Sequence, residues 1–223
     1  MRKCKRFLLF LFLLSGFSGV MAQSIAHYFT QMPANLIPAV SVDTRKDLVD
    51  FFKNGKSAVM PSALGGQVVL KELSDDYLML ETSENADLQL KLLQVNDTLR
   101  VIAFIHSVAA PLKDSRIKFY TTLWQPFNGI ALPSITYMDF MDVEKGKALG
   151  LADRFNQVCM RNFVFYKFKP NSPEVVVYSS IRDDLRPELL NDFGPIIKDS
   201  ITCVFDQGHF KRMSSLGGMT SVK

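Results

Sequence analysis

The chain has few cysteines, a single tryptophan and no long apolar segment beyond its start. Three of the 223 residues are cysteine and one is tryptophan. Beyond the N-terminal segment, no apolar run approaches the ~18 residues that a membrane-spanning helix needs. The motifs G-x-S-x-G, G-x-x-x-x-G-K-[ST], H-E-x-x-H and C-x-x-C are also missing. We therefore predict no catalytic, cofactor-binding or metal site from motifs, which leaves open an enzyme whose groups converge only in three dimensions.

The first 22 residues have the composition of a secretory signal peptide. A basic start is followed by the apolar run 7–14, then by small residues, and the segment ends in Val20-Met21-Ala22. We expect cleavage between Ala22 and Gln23 and export to the periplasm or beyond. Cys4 precedes the apolar run, so no lipid anchor is expected at the new N-terminus.

Removing this segment also removes the net charge of the chain. Residues 1–22 carry four basic residues and no acidic ones, which accounts for the whole formal charge of +4. A neutral mature chain gives no reason to expect binding to nucleic acid or to an anionic membrane. We interpret the scattered lysines and arginines as an ordinary solvated surface.

Two cysteines, Cys159 and Cys203, remain after cleavage. An oxidising compartment would permit a disulfide between them. Both lie among apolar residues, however, and a buried free cysteine packs as a small hydrophobic side chain. Both alternatives stay open.

Periodicity divides the mature chain into two α+β halves, residues 23–126 and 127–208, followed by a flexible tail at 209–223. In the first half we predict a helical turn at 33–37 and a helix over 45–54. Thr44 and Asp47 resemble a capping box for this helix, and Gly55 suits its C′ position. Alternating apolar residues then predict five strands joined by short turns, which favours an antiparallel meander. These strands span 67–73, 77–82, 86–95, 99–107 and 116–123.

Along 86–95, leucines at 88, 90 and 92 alternate with Gln89 and Lys91, which predicts one buried face and one solvent-exposed face.

The second half repeats the order of helix and then sheet. We predict helices over 149–158 and 187–191 and strands over 162–168, 174–180 and 201–205. This order predicts antiparallel sheets with helices on one side. The two halves are either a tandem duplication of a helix-plus-meander unit or similar by chance.

Few side chains are candidates for a function. His106 lies on a strand and is either a structural histidine or a base, and Asp206 is close enough to His209 to pair with it. Four aromatic residues form either an interaction patch or part of the core. They are Trp124, Phe127, Tyr166 and Phe168.

Several segments resemble an uncharacterised family of exported Bacteroidales proteins. The resemblance rests on Phe29-x-x-Met32-Pro33 and on the stretches 45–51, 71–78 and 114–122. The resemblance implies that the protein is exported, and it assigns no active site. The helix-then-meander outline is also similar to the β-lactamase-inhibitor-protein type of fold. For exported proteins of that group, the resemblance implies O-glycosylation at Asp-[Ser/Thr]-apolar patterns, with Thr98 and Ser200 as the candidate acceptors.

Two functional hypotheses follow. The first is a soluble periplasmic or secreted module that binds a protein or peptide partner without catalysis and without a cofactor. The alternative is a periplasmic hydrolase. A binding module predicts a broad concave or flat apolar surface, whereas an enzyme predicts a deep pocket that holds a histidine beside an acid. The sequence does not determine the oligomeric state.

Overall fold

Two antiparallel sheets and several short helices make up the computed structural model, which describes residues 23–158 and 162–213. The first sheet has the strand order β1 to β6, with β1 (Val59–Pro61), β2 (Gln67–Leu73), β3 (Tyr77–Ser83), β4 (Ala86–Gln94), β5 (Arg100–Ala109) and β6 (Lys113–Thr121). The second has the order β10-β9-β8-β7, with β7 (Val164–Phe168), β8 (Glu174–Ser179), β9 (Ser200–Asp206) and β10 (His209–Arg212). The helices are α1 (Ile25–Gln31), α2 (Val42–Lys53), α3 (Val143–Ala148), α4 (Ala152–Val158), α5 (Ile181–Asp184) and α6 (Pro187–Phe193), with 3-10 turns at Ala34–Leu36, Tyr137–Phe140 and Gly194–Ile196.

The first sheet confirms the predicted meander, and the α+β fold class is confirmed with it. All five predicted strands are present, and each pairs with its neighbour in sequence. The additional strand β1 escaped prediction because it has only three residues and ends in Pro61, which cannot donate to a ladder. On one face of the sheet, leucines of β4 pack in a buried cluster with α1 and α2.

The sequence predicted no helix before the turn at 33–37, but one is present. Residues 25–31 form α1, in which Ile25 and Phe29 are fully buried. The fully buried Arg45 of α2 ties the two helices together, because its Nη1 donates to the carbonyl oxygen of Phe29 at 3.0 Å and also to that of Met32. Both carbonyl groups lie at the C-terminal end of α1, where no further helical amides follow, although that of Phe29 also accepts from the Met32 amide at 3.4 Å. Burial lowers the pKa of the Arg45 guanidinium.

The predicted start of α2 is wrong, whereas the predicted C′ residue, Gly55, is confirmed. Ser41 is the N-cap, and its hydroxyl accepts a hydrogen bond from the Thr44 amide at 3.1 Å. The helix therefore begins at Val42, three residues before its predicted start at residue 45. Gly55 follows the C-cap Asn54 with φ +66°, a left-handed conformation that glycine adopts without strain.

The predicted solvent-exposed face of β4 is buried. Gln89 is 2% exposed and Lys91 is 1% exposed. The second sheet covers this face, so the first sheet lies between helices on one side and β-strands on the other. A row of buried polar side chains marks the contact between the sheets: Asp87, Gln89, Lys91, Ser107 and Ser115.

Side chains of this polar row form hydrogen bonds with backbone groups at the edge of β7. Gln89 Nε2 donates to the carbonyl oxygen of Tyr166 at 3.0 Å, and Gln89 Oε1 accepts from the Phe168 amide at 3.1 Å. Lys91 Nζ donates to the carbonyl oxygen of Lys169 at 3.1 Å. β7 is the last strand of its sheet, so these side chains take the place of a neighbouring strand.

The second sheet extends beyond the predicted end of the folded region. His209–Arg212 forms β10, although the sequence analysis placed these residues in a flexible tail. Gln207 and Gly208 have φ of +45° and +86°, as in the two-residue turns that join hairpin strands. Phe210 is 6% exposed and anchors the strand in the core.

The helices of the second half join the core between the sheets. This buried cluster combines residues of both sheets with residues of α4 and α6, such as Phe155 and Phe193. Helix α6 begins at Pro187, as predicted. Helices α5 and α6 lie between β8 and β9, an insertion without counterpart in the first meander. Among the described residues, no helix has the length and apolar character needed to cross a membrane.

Candidate functional site

A groove opens on the helix-facing side of the first sheet, in an area that no residue of α1 or α2 lines. Its volume is about 580 Å³, inside the range of about 300–1,000 Å³ usual for ligand pockets. We call it the basic groove. Its apolar surface comes from Leu36, Ile37, Pro38, Leu64, Leu88, Phe104 and Tyr120, and its basic side chains are His106, Arg116 and Lys118.

Strand register brings the basic side chains together. Leu88 on β4, His106 on β5 and Arg116 on β6 are aligned across the three strands. Two residues further on, Phe104 is aligned with Lys118 in the same way. Alternate residues of a strand point to the same face, so these five side chains share the face that α1 and α2 cover elsewhere. His106, Arg116 and Lys118 are all exposed.

Two loops form the opposite wall of the groove. The first follows the 3-10 turn Ala34–Leu36, and the second is the turn between β1 and β2. The Ala63 amide donates to the carbonyl oxygen of Ala39 at 2.9 Å, which ties one loop to the other. Gly65 and Gly66 have φ of +94° and +74°, so the tight turn depends on glycine. Beside them Leu64 stands at the rim, 75% exposed.

None of the described residues that line the basic groove is acidic. In the described part of the chain, Arg116 and Lys118 form no ion pair, and Asp114, on the same face of β6, does not line the groove. Most other lysines here do pair with a carboxylate, namely Lys46, Lys71, Lys91, Lys113, Lys147, Lys169 and Lys211. Neighbouring like charges on a sheet repel each other. A ligand with negative charge would remove this repulsion.

An aromatic cluster supports the inner end of the groove. The Phe104 and Tyr120 rings meet edge to face with centroids 5.8 Å apart, and Tyr120 contacts Trp124 at 5.6 Å. Trp124 Nε1 donates to the carbonyl oxygen of Tyr28 in α1 at 3.1 Å. Burial raises the pKa of the Tyr120 phenol. The packed rings of Phe104, Tyr120 and Trp124 therefore support the floor of the groove and connect it to α1.

The three histidines do not assemble a catalytic group in the described residues. The basic groove offers His106 no carboxylate partner. Asp206, the predicted partner of His209, forms an ion pair with Lys211 at 2.8 Å. His27 is exposed and contacts the Tyr28 ring. Residues 23–158 and 162–213 also contain no group of three histidine, cysteine or carboxylate side chains arranged to hold a metal ion.

The four predicted interaction aromatics contribute to packing. Phe168 is 0% exposed and Trp124 is 7% exposed, so neither is available on the surface. Phe127 and Tyr166 are half-buried and pack against the core between the sheets. Burial, with the nearby Asp114 and Cys203 charges, raises the pKa of Tyr166.

The modification candidates have different surroundings. Thr98 is exposed in the turn between β4 and β5, where Asn96 Oδ1 accepts from its amide at 3.0 Å. Ser200 is half-buried at the start of β9. Cys203 is buried and forms no disulfide within the described residues, and burial raises the pKa of its thiol. Cys159 lies outside the described residues, so the disulfide stays a prediction, as does glycosylation at both sites.

The basic residues of the groove were not predicted as a site from the sequence. Arg116 and Lys118 were placed correctly on a strand but interpreted as ordinary solvated surface. Their alternation with Tyr120 was the available signal, because it assigns all three to one face. Their alignment with His106 and the wall formed by Leu64 depend on tertiary structure.

The fold of the chain is similar to that of a solved structure. A domain of an uncharacterized protein from Porphyromonas gingivalis W83 matches with a TM-score of 0.73 and 20% identity, over 86% of this chain and 99% of that one. At this identity the likeness shows a shared fold. A search of curated proteins found no match. The model of the family described as "Protein of unknown function (DUF3256)" matches residues 17–210, and the chain belongs to that family.

Proposed function

We propose that the protein is exported and that it binds a peptide or protein partner, without catalysis, in the basic groove. One observation carries this proposal. Within the described residues, the groove combines an apolar floor with three basic or imidazole side chains that form no ion pair, and none of the residues that line it is acidic. Concave apolar surfaces with a few convergent polar groups are the usual form of ligand sites.

The surroundings of His106 favour binding over hydrolysis. A hydrolytic site needs a base held in place by a further group, next to a nucleophile or an activated water. Among the described residues, the titratable neighbours of His106 along the groove are Arg116, Lys118 and the buried Tyr120 phenol. These cations attract an anion to the groove, but they provide no proton acceptor beside the imidazole.

Export is tested on the full chain with a C-terminal tag. We expect the protein in the periplasmic or extracellular fraction, with a mass that corresponds to a start at Gln23. Signal peptidases require a small residue before the cut, so Ala22→Arg should leave the leader attached. A wild-type chain that keeps its leader and stays in the cytoplasm would contradict export.

Binding is tested by selecting from a displayed peptide library on the mature protein, residues 23–223. The double variant Arg116→Glu/Lys118→Glu should lose the peptides that the wild type enriches. Lys53→Glu/Lys56→Glu is the matched control, because it makes the same charge change at two exposed lysines outside the groove. If the wild type enriches no peptides, or if the groove variant enriches the same ones, the proposed function is wrong.

A further inference from the structure

Building on the proposed function, we infer that the groove binds an extended peptide segment with two acidic side chains at alternate positions, next to an apolar one. The pattern is acid-x-acid-x-apolar or its reverse, depending on the direction in which the segment lies along β6.

The spacing of the cations determines the acidic part of this pattern. Arg116 and Lys118 lie two residues apart on one face of β6, which corresponds to about 6.7 Å along a strand. An extended ligand has the same repeat, so its residues i and i+2 meet both cations. Adjacent residues of an extended chain point to opposite sides, and residues i and i+2 of a helix do not share a face. The site therefore favours alternate acidic residues on an extended chain.

The apolar position follows from the next residue of the strand. Tyr120 comes two residues after Lys118 on the same face, with the Phe104 ring beside it. Ile37 and Leu64 lie among the residues of the opposite wall. A ligand side chain that continues the same spacing therefore meets aromatic and aliphatic carbon instead of charge.

The open rim favours a peptide over an anionic lipid. Leu64 is 75% exposed, and both cations at the rim are exposed as well. An acyl chain needs a pocket that encloses most of its surface, since small-ligand sites bury about 70–90% of the ligand. An extended peptide can leave its other face in water, as strands on one-sided sheets do.

The test measures fluorescence anisotropy with labelled synthetic peptides. One pair carries Glu-x-Glu-x-Leu and Leu-x-Glu-x-Glu in a serine-rich background. Control peptides have the same composition with adjacent glutamates, or glutamine in place of glutamate. Exposed ion pairs contribute little individually, so we expect the better alternating peptide to bind about 2- to 30-fold more tightly than the controls. Added salt should reduce this difference.

A charge swap distinguishes lost recognition from lost folding. Arg116→Glu/Lys118→Glu should lose the preference for Glu-x-Glu and gain one for Lys-x-Lys, while Lys53→Glu/Lys56→Glu keeps the wild-type preference. Groove-dependent binding of selected peptides, without preference for alternating acids, would overturn this inference and leave the proposed function intact. Binding of dodecanoate, a single-chain carboxylate, with no peptide binding would overturn both.

Discussion

Replacing Gln89 by leucine should weaken the contact between the two sheets with little change in side-chain volume. The Gln89 amide takes part in four hydrogen bonds, with the Tyr77 hydroxyl, Asp87, the Tyr166 carbonyl group and the Phe168 amide. Leucine would leave the two backbone groups without partners at the edge of β7. Burial of an unsatisfied polar group costs about 1–3 kcal/mol, so the free energy of unfolding should fall by about 2–6 kcal/mol. A typical domain has about 5–15 kcal/mol in total.

Urea unfolding followed by tryptophan fluorescence measures this loss. Trp124 is the only tryptophan of the chain and is 7% exposed, so its emission should change when the protein unfolds. Gln94→Leu is the matched control, because Gln94 lies exposed at the end of the same strand. We expect the control to stay within about 0.5 kcal/mol of the wild type. If Gln89→Leu loses less than about 1 kcal/mol of the free energy of unfolding, Gln89 does not satisfy the backbone groups at the edge of β7.

Three further predictions concern charges and caps. In urea unfolding, Asp76→Asn should lower the free energy of unfolding by about 3–5 kcal/mol, because it leaves the charge of Lys91, whose side chain is 2% exposed, without a counter-charge. Lys91→Met should cost less, because the Asp76 side chain that it leaves unpaired is 35% exposed. Equal losses for the two variants would contradict this. The hydrogen bond from Arg212 is the main cause that lowers the pKa of Asp139. Its folded pKa lies below the unfolded value, so the pair stabilises the fold above about pH 4 and loses that effect as the pH falls further. Asp139→Asn should therefore lower the melting temperature at pH 7, and its difference from the wild type should shrink as the pH falls below about 4; a difference that does not change with pH would refute it. Ser41→Ala should cost about 1 kcal/mol in urea unfolding through loss of the N-cap of α2, and an unchanged midpoint would show that the cap contributes nothing.

Local patterns predicted the first sheet well because its strands alternate regularly and its turns are short. Helix α1 was missed because seven residues are about two turns, and the helix has no acidic residue in its first turn and no basic residue in its last turn.

The burial of Gln89 and Lys91 was beyond any local pattern. Their partners Tyr166 and Lys169 lie 77 and 78 positions further along the chain. A polar residue alternating with leucine looks the same in sequence whether water or a second sheet covers it. The groove was missed for the same reason: its strand was predicted, but its opposite wall comes from residues 35–39 and 62–65.

The hydrogen-bonded edge of β7 also has a consequence for the behaviour of the protein among other chains. An open strand edge is a template on which foreign strands can add, and such addition begins many aggregates. Side chains of the first sheet occupy backbone groups along this edge that an incoming strand would need. Gln89 and Lys91 belong to the first sheet, so separation of the two sheets would expose the backbone groups at the edge of β7. The second sheet would still keep the hydrogen bonds between its own strands. The resistance of this protein to self-association should therefore depend on the contact between its sheets more than on either sheet alone.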